Sequence, residues 1–391
     1  MSEQDETVTD FDFHGKALDN IFDDYSSMLG KCPVGHSSKY GGFWYIAKSD
    51  DIFAAEQDPS TWSVAPSMLL PSFGTETPLI PIDVDEPDHG PYRKILLPMF
   101  TPMAIGKLEP GMHRVAADLA EAVAGSPDDV VDVAAMFARP IPMIIFSRLA
   151  GYPEEDWPLF DQWVSEIIYA RTKDPVRAKA AGDELMAYMD RLIRSRRDDG
   201  IEHDDIMGQL MNAEIDGRAL THDELLSYGY LLFLAGLDTT AWAIRSSLWY
   251  LAQNPVAQQM LRDNPAGIPT AAEEFLRTLS PVQAMARTAL KDTEVRGQKI
   301  KAGERAVLVF GAGNRDPEVY ENANDIHVDR ENNRHLAFGA GIHRCLGSNL
   351  GRKELVIALE HFLETVPSFE PAGDDPWHGV GPLRIRIRKD A

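Results

Sequence analysis

Thiols are scarce in this sequence: 391 residues include only two cysteines, Cys32 and Cys345. Two such residues far apart imply no disulfide framework, so each needs its own explanation. Positive charge is scarce too, with 38 Lys and Arg against 61 Asp and Glu and a net charge of -23. That balance disfavours nucleic acid and anionic lipid as partners, although a local basic patch is compatible with it. Long apolar runs are missing. The most apolar helix-like stretch without a charge, 225–237, is 13 residues long, too short for a bilayer. A second uncharged run, 246–261, is broken by Asn254 and Pro255. The amino terminus, MSEQDETVTD, is acidic and unlike a secretory or transit signal. The expectation is a cytoplasmic protein with no nucleic-acid and no membrane partner. No repeat or low-complexity tract divides the chain, and no Gly-rich phosphate loop follows a strand. The second absence excludes a built-in flavin or nicotinamide domain. The 11 histidines form no close-spaced metal pair, and Cys32 with His36 in a flexible leader is too weak a ligand set to count as one.

What is present is globular, with 44% hydrophobic and 25% charged residues. Residues 1–40 are expected to be a loosely ordered leader and 41–391 a single domain. Residues 41–46 read as a strand, followed by a helix from Asp50. Pro66, Pro71, Pro78 and Pro81, with Gly74, predict a long loop over 63–81. From Tyr92 to about Gly267 apolar spacing of three and four predicts helices, among them 132–150, 156–170 and 177–197. Residues 224–253 are apolar on nearly all sides, which predicts a buried helix about 45 Å long. After Pro281 short strands are expected at 286–289, 293–295 and 306–310. The alternation over 383–388 predicts a last strand with its arginines on the solvent face. The fold class is mostly α with a small β part.

Four groups of residues carry chemistry. In Phe338-Gly-Ala-Gly-Ile-His-Arg-Cys-Leu-Gly347 the glycines permit a tight path that a flat ring can approach. Cys345 then opens a helix, whose N–H groups and dipole stabilise a thiolate. In Ala235-Gly-Leu-Asp-Thr-Thr240, Asp238 is costly to bury unless something offsets it. Thr239 can bond the carbonyl of Ala235, while Gly236 weakens the helix there. Glu274 and Arg277 share a helix face. His89 and Arg93 lie four apart at a helix start and can face one way.

The fixed places of the cysteine loop resemble the cytochrome P450 family, and the other motifs occur in that family's order over about residues 40 to 388. The resemblance implies the cytochrome P450 fold, with haem b (iron protoporphyrin IX) between the long central helix and the Cys345 helix. It makes Cys345 the iron ligand, with Phe338, Gly339, Gly347 and Ala235 around the cofactor and His89, Arg93, Arg287 and His343 on its propionates. Asp238 and Thr239 become an acid–alcohol pair that orients dioxygen and relays protons. Glu274, Arg277 and Arg330 become an ion triad that stabilises the proximal core. The implied reaction is monooxygenation: insertion of one atom of dioxygen into a small hydrophobic substrate, a terpenoid or aromatic compound. Electrons come from a separate ferredoxin and ferredoxin reductase, for whose docking Arg344, Arg352, Lys353 and Lys94 are candidates. Met68, Phe73, Leu79, Leu234, Ala235, Thr239, Val282 and Gln283 are expected to line the substrate pocket, with Trp163, Ile167 and Ile168 from a mobile lid. No cationic side chain stands out in these segments, which favours a neutral substrate. A peroxide-driven peroxygenase and a non-enzymatic haem sensor are the alternatives. The first has no need of the Asp238–Thr239 pair.

Overall fold

Thr221 starts the longest helix, His222–Gln253. Its hydroxyl accepts the Glu224 N–H at 3.2 Å, and the Glu224 carboxylate accepts the Thr221 N–H at 2.7 Å. This reciprocal cap satisfies two donors that a helix start otherwise leaves without partners. Arg218 and the Tyr92 hydroxyl also donate to Glu224, and its carboxyl is held down at about 2, chiefly by Arg218. The helix ends where Pro255 begins the next one. Buried residues run from Leu225 to Ala252 and occupy every side, as the unbroken apolar pattern predicts.

The computed structural model describes residues 8–14, 18–73, 75, 78–201, 203–373 and 381–388. Helices Pro140–Ala150, Pro175–Asp199, Ile268–Leu279 and Ser348–Thr365 pack against the central helix, and Glu109–Ala124 lies against Ser348–Thr365. A six-stranded mixed sheet runs in the order Val8–Thr9, Val34–Ser37, Phe43–Ile46, Arg305–Leu308, Met285–Ala289, Trp62–Ser63. A three-stranded sheet joins Phe369–Pro371, Arg384–Ile387 and Val130–Asp132. In Arg384–Ile387 the isoleucines are buried and the arginines exposed, the alternation expected from period two. No helix among the described residues is long and apolar enough to cross a membrane.

Several expectations need correction. The stretch 1–40 is not a loose leader where it is described: it holds the helix Leu18–Lys31 and two strands of the main sheet. Tyr25 there is fully buried, its hydroxyl donating to Gln283 at 2.8 Å. Residues 1–7 and 15–17 lie outside the described residues, as does Gly74 of the Pro-rich loop. The expected helix over 132–150 starts late. Val130–Asp132 is a strand, Ala134–Ala138 a π-type turn, and the α-helix begins at Pro140, where a proline's missing N–H costs nothing. The helix expected over 156–170 is α-helical for Trp157–Val164 and widens into a π-type turn at Ser165–Tyr169. Such a turn re-aims the side chains after it, and here it turns Tyr169 onto the central helix.

Candidate active site

The loop from Phe338 to Gly347 is held from within and from one neighbour. The Cys345 N–H donates to the Phe338 carbonyl at 2.8 Å, and the Ala340 N–H to the Glu56 carboxylate at 2.9 Å. Gly339 and Gly341 both have left-handed φ, 63° and 62°, where other residues are strained. At Gly341 an added Cβ would fall 1.9 Å from the Glu56 carbonyl. Cys345 does not open the helix, as expected, but precedes it: the helix starts at Ser348 with Gly347 as its N-cap. Burial is the largest influence on Cys345 and pushes its thiol up, while the Gly347 N–H, Arg93, Arg344 and Arg352 oppose it. A metal cation on the sulfur reverses that balance, since a coordinating thiol is deprotonated.

Cys345 lies deep in the protein yet carries accessible surface. Ala235 is exposed in the middle of the central helix, between Leu234 at 4% and Leu237 at 0%. Thr239, one turn on, is partly exposed. An accessible alanine inside a buried helix faces an internal space.

Cations and donors gather near the cysteine. His89 is buried, and its Nε2 has no hydrogen-bond partner. The His343 ring lies 4.1 Å from that of His89, and burial first, then His89, Arg287 and Arg93, pull it down to about 3. Arg93 is close enough to interact electrostatically with Cys345. These residues fit haem: a flat dianionic ring would supply the partner that His89 Nε2 lacks. Arg287 is within electrostatic reach of His343, and its guanidinium also pairs with Glu56. Both side chains are almost fully buried, and a cation there needs a carboxylate.

On the central helix the Thr239 hydroxyl donates to the Ala235 carbonyl at 3.0 Å, as expected. Gly236 serves packing, not helix weakening: a Cβ there would meet the Phe146 ring at 2.5 Å, and the helix is continuous through 235–240. Asp238 accepts the Tyr169 O–H at 2.5 Å, and Arg245 donates to the same phenol oxygen at 3.2 Å. Burial pushes the Asp238 carboxyl up, against Arg245 and the Tyr169 bond. A cavity of about 250 Å³ reaches this carboxyl, lined also by Arg139, Asp161 and Ala241. Arg245 was findable, since it lies two turns from Asp238 on the same face. Tyr169 was not, because a π-type turn places it.

Glu274 accepts two bonds from Arg277 at 2.8 Å and one from Arg330 at 3.0 Å, so the triad assembles. Asn333 and the His327 N–H add two more. Among the expected pocket residues, Met68, Leu79, Leu234, Trp163 and Ile167 are buried in the core, with Phe73 and Ile168 packed against it. Val282 and Gln283 are not placed as expected. Val282 packs on the smaller cluster beneath the main sheet. Gln283 bonds Tyr25, Leu279 and Ser280 because it caps the end of its helix. Of the docking candidates, Arg352 is tied to Glu273 and stacked on Phe338, and Lys353 is tied to Glu109. That leaves Arg344 and Lys94 as the exposed pair.

Glu354 is a buried acid that gave no signal in the sequence. Neither carboxyl oxygen has a well-formed hydrogen bond, although Thr240 is near. Burial raises its pKa to about 8. With the folded value above the ordinary one, its contribution to stability is complete below about pH 4.5 and lost as pH rises through 8. Stability of the native chain relative to Glu354→Gln is therefore expected to fall by roughly 3–5 kcal/mol between pH 5 and pH 9. Denaturant midpoints of both proteins at the two pH values check this, and parallel curves would contradict it.

Comparison with known proteins agrees with this geometry. The Cytochrome P450 family profile matches residues 152–266 and 269–377. "Probable cytochrome P450 127A1" of Sinorhizobium fredii is 35% identical, over 84% of this chain and 78% of that protein. "20-oxo-5-O-mycaminosyltylactone 23-monooxygenase" of Streptomyces fradiae is 33% identical, over 93% of this chain and 85% of its own. The solved structure of a mutant of P450 EryK in complex with erythromycin B superposes with a TM-score of 0.86 at 28% identity, covering 95% of this chain and 97% of that one.

Proposed function

Because this chain belongs to the cytochrome P450 family of haem b monooxygenases, we propose that it oxygenates a compact, predominantly hydrophobic substrate, with Cys345 as the iron ligand. The supporting observation is the accessible Cys345 at the end of its glycine loop, with Arg93 within electrostatic reach and the His343 ring packed on His89, whose Nε2 has no partner. Bound haem supplies the activation of dioxygen and the transfer of one oxygen atom. The chain supplies the rest. Cys345 would ligate the iron, while His89, Arg93 and His343 would hold the carboxylates of the ring. Phe338, Gly339 and Gly347 shape the sulfur side, and Ala235 leaves room on the other. Arg287, held by Glu56 and within electrostatic reach of His343, is the fourth of the carboxylate partners.

Asp238 is the proton-handling residue. Burial pushes its carboxyl above the ordinary value, Tyr169 fixes its orientation, and the cavity beside it leaves room for water. Thr239 presents its hydroxyl to the interior from the next position. Met68, Phe73, Leu79, Leu234 and Ile167 give the substrate region its apolar character. Electrons arrive from a separate ferredoxin and its reductase, docking on the Cys345 side where Arg344 and Lys94 are exposed. Two relatives are named 20-oxo-5-O-mycaminosyltylactone 23-monooxygenase and mycinamicin IV hydroxylase/epoxidase; for this chain the buried apolar residues are read as suiting a terpenoid or aromatic skeleton.

Turnover tests the reading. Dioxygen with ferredoxin and reductase is expected to give an oxygenated product, and peroxide alone little. Peroxide supporting the full rate would favour the peroxygenase alternative, and no product in either case would favour a haem sensor. Asp238→Asn is expected to lower dioxygen-driven turnover by about 10²-fold or more while leaving substrate affinity unchanged. An unaltered rate would remove Asp238 from proton handling.

A further inference from the structure

Arg171 follows the Ser165–Tyr169 turn by two residues, just after the residues expected to form a lid. Its guanidinium lies over the Phe73 ring, 5.0 Å from the centroid. Its Nε is buried without a hydrogen-bond partner, and among the described residues no carboxylate forms an ion pair with it. Asp238, Tyr169 and Tyr40 are near enough to attract it electrostatically, but none forms an ion pair or hydrogen bond with it: Asp238 Oδ1 accepts from Tyr169, and the Tyr40 hydroxyl donates to Asp12. On the other side His14 bonds the Leu70 carbonyl, and burial lowers it to about 4, so it carries no competing charge. Burial brings Arg171 down only to about 10, so the guanidinium stays cationic at neutral pH.

A buried cation without a partner is costly unless something completes it. Its ring contact with Phe73 offsets part of that cost, and the fork of N–H donors is the geometry that grips a carboxylate with two parallel bonds. We propose that Arg171 selects substrates bearing one carboxylate on an otherwise hydrophobic skeleton. The inference rests on the hydrophobic-substrate reading above and refines it. It departs from the expectation of a neutral substrate, which considered the Pro-rich loop, the central helix and the lid residues up to Ile168 but not the residue that follows the turn. A phosphate is the poorer fit, because a single guanidinium faces it while Asp238 and the net charge of -23 oppose a dianion.

The test uses the haem-loaded protein and two matched pairs of probes: decanoate with decan-1-ol, and 4-isopropylbenzoate with 4-isopropyltoluene. The shift of the iron to high spin reports binding. Each carboxylate is expected to bind about 10-fold or more tightly than its neutral partner, the range of a charge-assisted bond. Arg171→Ala should remove that advantage while changing neutral-probe affinity less than about twofold, and Arg171→Lys should restore part of it. An unchanged reduced carbonyl spectrum in each variant confirms an intact haem site. Equal binding within both pairs, or equal losses for charged and neutral probes, would overturn the proposal. Binding of neutral probes alone would leave the hydrophobic-substrate reading standing. Binding of carboxylates alone, abolished in Arg171→Ala, would support Arg171 and reject that reading.

Discussion

Cys345→Ala is expected to abolish dioxygen-driven turnover while leaving the fold in place. The side chain accepts only the Gly347 N–H; the bonds that shape the loop are the Cys345 N–H to Phe338 and the Ala340 N–H to Glu56, and both survive the substitution. What disappears is the sulfur, and with it the electron density that a thiolate ligand pushes toward O–O cleavage. Haem occupancy should drop as well, since the propionate partners remain but the iron bond is gone. Far-UV dichroism, haem content and product formation, measured together, separate these effects. A variant that folds normally, retains haem and still turns over would assign the chemistry to another residue.

The second large effect falls on stability. Glu274→Ala is expected to cost about 3–5 kcal/mol, because it leaves Arg277 buried without its counter-ion. Both side chains have no exposure, and Glu274 also gathers Arg330, Asn333 and the His327 N–H. Removing one carboxylate therefore strands several donors at once. A loss of that size is a large share of the 5–15 kcal/mol by which a typical domain is stable. Denaturant unfolding of the variant measures it. A loss below about 1 kcal/mol would show the cluster to be ornamental. The charge matters here more than the shape, so Glu274→Gln should fall between the two.

Much of this site was legible because its residues are close in sequence. The loop from Phe338 to Gly347 carries its glycines where the backbone turns left-handed, and Thr239 bonds a carbonyl four residues back. Period alone placed the central helix to within two residues and oriented the arginines of the last strand. What escaped is long-range. Glu56, which holds both Ala340 and Arg287, sits 231 residues from the latter at the end of an ordinary-looking short helix. Tyr169 reaches Asp238 only because the helix Trp157–Val164 widens at its end, and no residue in Ser165–Tyr169 announces a π-type turn. The helix Leu18–Lys31 is rich in Asp and Ser, which lowers helix propensity. Tertiary burial of Tyr25 supplies what propensity lacks. Gly236 was read as a weak point of the helix because its partner, the Phe146 ring, comes from another helix.

The thiolate–iron bond is the centre of this account, and light absorption reads it directly. The purified protein, reduced and exposed to carbon monoxide, should show the strongly red-shifted Soret band of a sulfur anion opposite the carbonyl. A folded, haem-loaded protein whose carbonyl complex absorbs like that of a histidine-ligated haem would contradict the assignment of Cys345.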